Sequence, residues 1–498
     1  MTTKDFLNLL DPKKQNLPEI EFRSNFKGCD TIVVPVFEDE EGAVKKAYPL
    51  PLLSKLSGKK DEKLQLVKNN QIQKFIGMGP RKNMDSRKMR RFFGSAYLSS
   101  LSLKPKSIGL DCPLEWIKEA TVGIRVAALN PGILKTKPKK EAAPKVIFGS
   151  KNFLKNISEA KSAMKVGIAI AEGKNLMRTL GALPPNLLNP KSYAELVVEL
   201  AKKWGVSCKR LTDKEREPYQ LLNAVSAGSA HHAELLILTL HPKSGATKKS
   251  VAVIGKGLCY DSGGLQDKQM FMKTMKEDMN GSASVLGTVR AILNSGAEIK
   301  QTTHFMLGLA ENMMGENAMR ADDIYTAGDG QTVEISHSDA EGRLVLADAI
   351  CYAKKELKGV ERYFTIATLT GHCIVALGEL YTGMVVNNEN LSKEVAEAGK
   401  RVGDYVHAGP WDMEFDDMNT PNADMASQGE NMRDAGWIKA GLFMYRFIPK
   451  AKDEKDQVGF CHLDIAGSID MKGAGRSWRQ KGLNSGVGVV LLMQVLTR

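Results

Sequence analysis

The chain has 498 residues, of which 43% are hydrophobic and 26% are charged, and its net charge is +13. These fractions are ordinary for a globular protein and exclude a fibrous, low-complexity or wholly disordered chain. The length exceeds the size at which a single core usually stops growing, so we expect two domains. No apolar run approaches the roughly 20 residues of a membrane-spanning helix, and no CxxC pair occurs. We therefore expect a cytoplasmic protein with no membrane contact and no disulfide framework.

The positive charge is concentrated in the first third of the chain. Residues 1–160 carry 30 Lys and Arg against 17 Asp and Glu, which accounts for the whole excess. The densest basic run, at 81–91, lacks the interleaved aromatic residues of a single-strand-binding surface. This run is either a solvated surface or an electrostatic patch for nucleic acid, and the pattern favours the first without excluding the second.

Short apolar runs in the first third of the chain predict β-strands. They are TIVVPVF (31–37), TVGIRVAAL (121–129) and KVIFG (145–149). Together with the helical segments between them, these strands predict a small N-terminal α/β domain over residues 1–160, for which we expect an oligomer-forming or regulatory role.

A larger α/β domain is predicted over residues 161–498. It opens with two helical segments, after which apolar strand-like runs alternate with helical patterns. This alternation predicts a mixed central sheet flanked by helices. The predicted helices lie at 158–179, 191–205, 281–294 and 341–356, and the predicted strands at 233–241, 250–258, 302–310 and 362–371.

Charged side chains gather near the ends of three predicted strands. The segments are GKGLCYDSGGLQDK (255–268), KEDMNG (276–281) and HSDAEGRL (337–344). Sites in such sheets lie at strand ends, so we expect these segments to meet. Asp339 and Glu341 are two residues apart, and in an extended segment their carboxylates would point to the same side. The residues predicted to converge are Lys256, Asp261, Asp278, Asp339 and Glu341.

Four carboxylates in one place repel each other unless cations lie between them. Two divalent ions that share bridging carboxylates would satisfy them, and a neutral lysine amine could add a nitrogen ligand. Surface salt bridges and helix caps would explain the same residues, with Asp339 as an N-cap. The spacing alone leaves both interpretations open.

The octapeptide His-Ser-Asp-Ala-Glu-Gly-Arg-Leu at 337–344 resembles NTDAEGRL, the hallmark of the M17 leucyl aminopeptidase family. The similarity extends through the second half of the chain in the order of the family. The matching segments are GKGLCYDSGG (255–264), ENMMGENAMRADDI (311–324), LVLADAICYA (344–353), ATLTGHCIVALGELYTG (367–383) and CHLDIAG (461–467). The resemblance implies that residues 161–498 form a catalytic peptidase domain.

The resemblance also implies the reaction and its groups. The expected enzyme is a metal-dependent aminopeptidase that removes the N-terminal residue of peptides, with leucine and other apolar residues preferred, by means of a water activated by two metal ions. The expected ions are Zn²⁺, with Mn²⁺ or Mg²⁺ in an exchangeable site, together with bicarbonate as general base. Peptides are the expected substrates, and a homohexamer is the expected assembly.

Roles carry over to the matching positions of this chain. The resemblance implies that the metal ligands are Lys256, Asp261, Asp278, Asp339 and Glu341. It implies that Lys268 polarises the scissile carbonyl and that Arg343 holds the bicarbonate. The positions that match the substrate pocket are Met275, Thr368, Leu369 and Gly371.

Two departures from the family pattern lie beside these residues. Asn-Thr has become His337-Ser338, and the interval from Asp261 to Asp278 is one residue shorter. His337 could be a further ligand, a titrating neighbour or a tolerated replacement, and the shorter loop could reshape the pocket. The sequence therefore predicts the reaction class better than the substrate. The alternative function is a nucleic-acid-binding or structural pseudoenzyme relative that uses the basic N-terminal domain.

Overall fold

The structure is a computed structural model. It describes residues 2–48, 52, 55–68, 70–130, 132, 134–136, 142–149, 156–429, 431, 434–451, 457–469 and 483–498. These residues divide into two compact units: an N-terminal unit formed from the range 11–171, and a larger unit formed from 2–10, 172–469 and 483–498. None of the helices in the described ranges combines the length and the hydrophobicity that a lipid bilayer requires of a spanning segment.

Helices and strands are numbered along the chain. The α-helices are α1 (Thr3–Leu10), α2 (Glu41–Ala47), α3 (Ser86–Leu101), α4 (Ile117–Ala128), α5 (Ile157–Ala182), α6 (Pro190–Trp204), α7 (Asp213–Arg216), α8 (Gln220–Val225), α9 (Asn280–Ser295), α10 (Glu341–Glu356), α11 (Gly371–Leu377), α12 (Glu389–Val402), α13 (Gly436–Tyr445) and α14 (Val489–Leu496). The strands are β1 (Ile20–Arg23), β2 (Thr31–Phe37), β3 (Lys63–Lys68), β4 (Gln71–Gly79), β5 (Ser107–Leu110), β6 (Lys145–Gly149), β7 (Ser207–Arg210), β8 (Glu234–Leu240), β9 (Ser250–Asp261), β10 (Thr302–Asn312), β11 (Ile324–Thr326), β12 (Thr332–Glu334), β13 (Val360–Ala367), β14 (Thr382–Val386), β15 (Val406–Ala408), β16 (Met425–Ala426) and β17 (Gly459–Asp464). Short 3₁₀ helices lie at Arg81–Asn83, Leu114–Trp116, Gln269–Glu277 and Met413–Phe415.

The sheet of the N-terminal unit has the strand order β1-β6-β5-β2-β4-β3 among the described residues. Neighbouring strands are parallel except β3, which is antiparallel to β4. Strand β2 is buried along its whole length because both faces are covered: Val33 belongs to a core cluster with Phe93 of α3, and Val34 to a second cluster with Phe75. A continuous apolar run of this kind is typical of a parallel strand with both faces buried.

The prediction of a strand at 121–129 is wrong, because this segment lies in α4 as far as residue 128. The residues of this segment that enter the core recur with the period of a helix, and α4 packs directly on α3: a Cβ atom at Gly123 would lie 2.2 Å from the carbonyl oxygen of Arg90. Other apolar residues, Val122 and Val126, lie between the core positions, so a short window of sequence does not show the helical period. The residues of α4 in the core cluster are Ile117, Ala120, Ile124 and Ala127.

In the larger unit, the described strands form a mixed sheet in the order β15-β14-β17-β13-β9-β10-β8-β7. The central strand β9 runs parallel to both neighbours, β13 and β10, whereas β8 is antiparallel to β10 and β14 to β17. On one face Ile254 of β9 shares a buried core cluster with Leu346 and Ile350 of α10, and α9 packs against the other face. The predicted fold class, a small α/β domain followed by a larger α/β domain with a mixed sheet flanked by helices, is confirmed.

A β-bulge in β9 brings Lys256 and Asp261 to the same face of the sheet. Residues five apart point to opposite faces of a regular strand. Leu258 pairs with Ala310 and Asp261 with Asn312, so β9 has one residue more than β10 over this interval. The extra residue reverses the alternation. Lys256 lies inside β9, and Asp261 is its last residue.

Two glycines allow α9 to begin directly against the sheet. A Cβ atom at Gly255 would lie 2.6 Å from the carbonyl oxygen of Gly281, and one at Gly281 would lie 2.2 Å from that of Ile366. These separations are too short for any side chain, so the backbones of α9, β9 and β13 are in contact. The contact places Asp278, which precedes α9, beside Lys256.

We expect Gly281→Ala to destabilise the protein by about 1–3 kcal/mol, because the added methyl group meets backbone atoms that cannot move aside. Urea unfolding followed by circular dichroism measures this loss. The control is Gly42→Ala in α2, where a Cβ atom would meet no other atom within 4 Å. Equal stability of the two variants would contradict the predicted backbone contact.

Candidate metal centre

Two lysines each bridge two carboxylates where β9 ends. The Nζ atom of Lys256 lies 2.8 Å from Oδ2 of Asp278 and 2.9 Å from Oε1 of Glu341. The Nζ atom of Lys268 lies 2.8 Å from Oδ2 of Asp261 and also pairs with Asp339. The structure thus brings together all of the predicted metal ligands and Lys268.

The cluster is deeply buried on the side of Lys256 and open on the side of Lys268. The side chains of Lys256, Asp261 and Glu341 are almost completely buried, whereas that of Lys268 is 17% exposed and that of Asp339 is 29% exposed. Four carboxylates therefore share two ammonium groups in a site from which water is largely removed. Asp339 and Lys268 therefore form the solvent-exposed side of the cluster.

Burial and mutual repulsion perturb the titration of these groups. Burial raises the pKa of Asp278 far above its ordinary value although Lys256 opposes the shift, and burial also raises the pKa of Asp339 with a contribution from Glu341. Burial alone would lower the pKa of Lys256, but the surrounding carboxylates raise it above its ordinary value. Negative charge therefore exceeds positive charge in the cluster, and a divalent cation relieves this condition.

The donor set fits divalent cations. Asp261, Asp278 and Glu341 each offer a carboxylate oxygen within 4.8 Å of the other two, and no other such group of His, Cys, Asp and Glu side chains occurs in the part of the chain that the structure describes. Among the residues that the structure describes, the buried Oε2 atom of Glu341 has no hydrogen-bond partner. Carboxylate oxygens are favoured ligands of hard divalent ions, and a buried acceptor without a donor is free to bind one.

Asp339 and Glu341 do not lie in an extended segment, as their spacing suggested. Asp339 lies in a turn closed by a hydrogen bond of 3.1 Å from the Ala340 amide to the His337 carbonyl, and Glu341 is the first residue of α10. The N-cap position is occupied by Ala340, so Asp339 is not a helix cap. Because of this turn, the two carboxylates pair with different lysines: Asp339 pairs with Lys268, and Glu341 pairs with Lys256.

The backbone that follows β13 closes another side of the cluster. The hydroxyl of Thr368 donates to Oδ1 of Asp278 over 2.6 Å, and its carbonyl accepts from Lys256 over 3.1 Å. Asp464 of β17 holds the next residues, because its carboxylate accepts the backbone N–H groups of Leu369 and Thr370 over 3.2 and 3.1 Å. Asp464 was not predicted from the sequence, although an acidic residue inside the apolar run CHLDIAG is a detectable signal.

Three other residues were predicted to line the substrate pocket. Leu369 and Gly371 lie in this backbone segment, and Met275 lies three residues before Asp278. Leu369 is half-buried against the core, and Gly371 is exposed as the first residue of α11. Met275 is half-buried in the 3₁₀ helix before Asp278 and is not among the fully buried core residues of the described chain. Their contact with a substrate side chain stays a prediction.

Arg343 is buried in the first turn of α10. Its guanidinium donates to the carbonyl oxygen of Ser427 over 2.9 Å and lies 5.9 Å from the centre of the Phe443 ring. Burial lowers its pKa to about 10, although Glu341 and Asp464 act in the opposite direction. A buried cation of this kind favours a bound anion.

The His337-Ser338 departure lies in the turn that presents Asp339. The Nδ1 atom of His337 accepts the Asp339 amide over 3.1 Å, and burial, with Lys268 and Arg343 nearby, lowers the pKa of His337. The buried hydroxyl of Ser338 donates to the Gly263 carbonyl over 2.6 Å and accepts the Gln266 amide over 2.9 Å. Ser338 therefore fixes this turn to the loop that carries Lys268.

The fold and the site define a class of protein. Its members are α/β proteins with a buried lysine–carboxylate cluster at the strand ends of a mixed sheet. Comparison with known proteins specifies the family. The sequence model of the cytosol aminopeptidase family, catalytic domain, matches residues 175–493. The chain belongs to the cytosol aminopeptidase family (M17), a family of peptide hydrolases.

Individual relatives agree with this assignment. A probable cytosol aminopeptidase of Persephonella marina is 35% identical over 409 residues, which cover 79% of this chain and 78% of the relative. A probable cytosol aminopeptidase of a Sulfurihydrogenibium species is 32% identical over 481 residues, which cover 93% of this chain and 88% of the relative. The solved structure of a mutant tomato leucine aminopeptidase covers 98% of this chain and 97% of its own with a TM-score of 0.83, and at 24% identity this likeness shows the fold alone.

Replacing Thr368 by valine tests the hydrogen bond to Asp278. Thr368→Val keeps the shape of the side chain but leaves a buried carboxylate without its shortest donor, and we expect a loss of about 1–3 kcal/mol in stability. Differential scanning calorimetry detects the loss as a lower melting temperature. Thr368→Ser retains a hydroxyl and is expected to keep most of the stability. Equal melting of the valine variant and the wild-type protein would contradict this assignment.

Proposed function

We propose that this chain is a metal-dependent aminopeptidase that hydrolyses the N-terminal residue of peptides, with leucine and other apolar residues preferred. The observation that carries the proposal is the buried lysine–carboxylate cluster, in a chain of the cytosol aminopeptidase family. The relatives named probable cytosol aminopeptidases support the removal of N-terminal residues.

The cluster would hold two divalent ions, Zn²⁺ with Mn²⁺ or Mg²⁺ in an exchangeable site. When bound, the ions supply the Lewis acidity that activates water for peptide hydrolysis. We assign the deeply buried side of the cluster to the tighter site and the open side, at Asp339, to the exchangeable one. The proposed ligands are Lys256, Asp261, Asp278, Asp339 and Glu341.

Lys268 and Arg343 act on the substrate side in this proposal. The ammonium group of Lys268 is the more exposed of the two lysine charges, so it can meet the carbonyl oxygen of a peptide and stabilise negative charge there. Arg343 carries a buried charge and would hold bicarbonate as the general base. Met275, Thr368, Leu369 and Gly371 would select the side chain of the first residue.

We also propose that the chain works as a cytoplasmic homohexamer, with residues 1–160 in an oligomer-forming or regulatory role and residues 161–498 as the catalytic domain. The relatives are named cytosol aminopeptidases, which supports the location. In the basic run at 81–91, Arg81 is held by the carboxylates of Glu40 and Glu115 and Arg90 is buried, so these two residues offer little positive charge to a nucleic acid.

Hydrolysis of leucine p-nitroanilide by the purified full-length protein tests the proposed reaction. We expect turnover with added Zn²⁺ or Mn²⁺ and none after treatment with a chelator, because the carboxylate cluster then lacks its ions. A leucyl dipeptide with a blocked amino group serves as the control substrate and should not be cleaved. The proposal fails if the folded protein shows no turnover with any of these metals.

Two substitutions separate metal binding from the role of Lys268. Lys268→Ala is expected to retain both ions but to lose about 100-fold or more in kcat, since a fixed positive charge near the oxyanion is removed. Asp339→Ala is expected to lose one ion, which metal analysis of the dialysed protein detects. Lys273→Ala is the matched control, because Lys273 is exposed in the neighbouring 3₁₀ helix. Full activity in both test variants would show that the assigned site is wrong.

A further inference from the structure

Asn312, the last residue of β10, lies behind the lysine–carboxylate cluster and was not predicted as a site residue. It is 2% exposed, and its register partner across the sheet is Asp261. This pairing exists only because of the bulge in β9, which brings the end of β9 opposite the end of β10. Bulges often aim a side chain toward a functional site.

The amide group of Asn312 joins two segments of the proposed metal centre. Its Nδ2 atom donates to Oδ1 of Asp261 over 2.9 Å and to the carbonyl oxygen of Ser338 over 3.1 Å. The backbone of Asn312 is fixed as well, because its carbonyl accepts both the amide and the hydroxyl of Ser262 over 2.9 Å. Both hydrogens of the side-chain amide are therefore used on acceptors that lie in different parts of the chain.

The orientation of this amide is determined by its surroundings. An amide turned by 180° would present its oxygen to the two acceptors at Asp261 and Ser338, which cannot donate to it. In the observed orientation, Oδ1 points toward Gly264, where a Cβ atom would lie 2.9 Å away. Gly264 has a φ of 65°, so its backbone conformation and its missing side chain both leave room for this oxygen.

These hydrogen bonds control which oxygen of Asp261 faces the centre. Oδ1 accepts from Asn312 and from the backbone amide of Gly263 over 3.0 Å, while Oδ2 faces Lys268. The bond to the Ser338 carbonyl fixes the residue that directly precedes Asp339. Asn312 thus sets the plane of the Asp261 carboxylate. It also sets the distance between Asp261 and the segment that carries Asp339.

On the basis of the proposed function, we propose that Asn312 is a positioning residue of the metal centre. It holds Asp261 and the Asp339 turn in register so that their carboxylates bind the same pair of ions. Because it is neutral, it orients the Asp261 carboxylate without supplying the positive charge that the ions provide. Partners of metal ligands in this position typically change metal affinity by about 10–100-fold when they are removed.

The test compares Asn312→Leu with a matched asparagine outside the centre. Asn387 also uses its side-chain amide to hold a distant segment, donating to the Val458 carbonyl over 2.8 Å and accepting the Phe460 amide over 2.8 Å. Isothermal titration calorimetry of the metal-free proteins with Mn²⁺ measures affinity, and urea unfolding measures stability. We expect both leucine variants to lose stability, but only Asn312→Leu to bind Mn²⁺ about 10–100-fold more weakly.

Each outcome is decisive. Equal Mn²⁺ affinity of Asn312→Leu and the wild-type protein would overturn the positioning role while leaving the proposed function intact. The same loss of affinity in Asn387→Leu would overturn it too, since the effect would then follow from general destabilisation. A wild-type protein that binds no Mn²⁺ or Zn²⁺ would reject the metal centre itself. If Asn312→Leu does not fold, Asn312→Ala replaces it in the same comparison.

Discussion

The larger unit depends on the pairing of two lysine ammonium groups with four carboxylates in a site with little water. A carboxylate that leaves water loses so much hydration energy that it must lie beside a cation or several donors. Lys256 and Lys268 meet this requirement by reaching two carboxylates each. The end of β9, the residue before α9 and the start of α10 have to meet at one place for these contacts to form. The electrostatic requirement and the close backbone contact at Gly255 and Gly281 therefore demand the same packing of these elements.

Neutral groups surround the charged centre and hold it in shape. Thr368 donates to Asp278, Asn312 to Asp261, and Ser338 ties the turn before Asp339 to the loop of Lys268. Neutral donors orient carboxylates but do not cancel their charge. The cluster therefore keeps an excess of negative charge while its geometry is fixed, which is the combination that a site for divalent cations requires.

Much of this architecture could be predicted from the sequence, because it depends on local patterns. Apolar runs bounded by polar and glycine residues indicated β8, β9, β10 and β13, and charged residues at the ends of such runs indicated the cluster. Contacts between distant segments could not be predicted. Asn312 binds partners 51 and 26 residues away, and the turn at Asp339 depends on Gly263 and Gln266 of another loop. The period of α4 was hidden because few of its residues are polar.

The extra residue in β9 makes the backbone geometry of this strand as important as its composition. If the residues from Leu258 to Asp261 formed a regular strand without the bulge, Tyr260 rather than Asp261 would lie opposite Asn312. Asp261 would then point to the face of the sheet that packs on α9, away from Lys256. The place of one charged group in the cluster is therefore decided by an irregular pairing of two backbones, which the identity of the charged residue does not reveal.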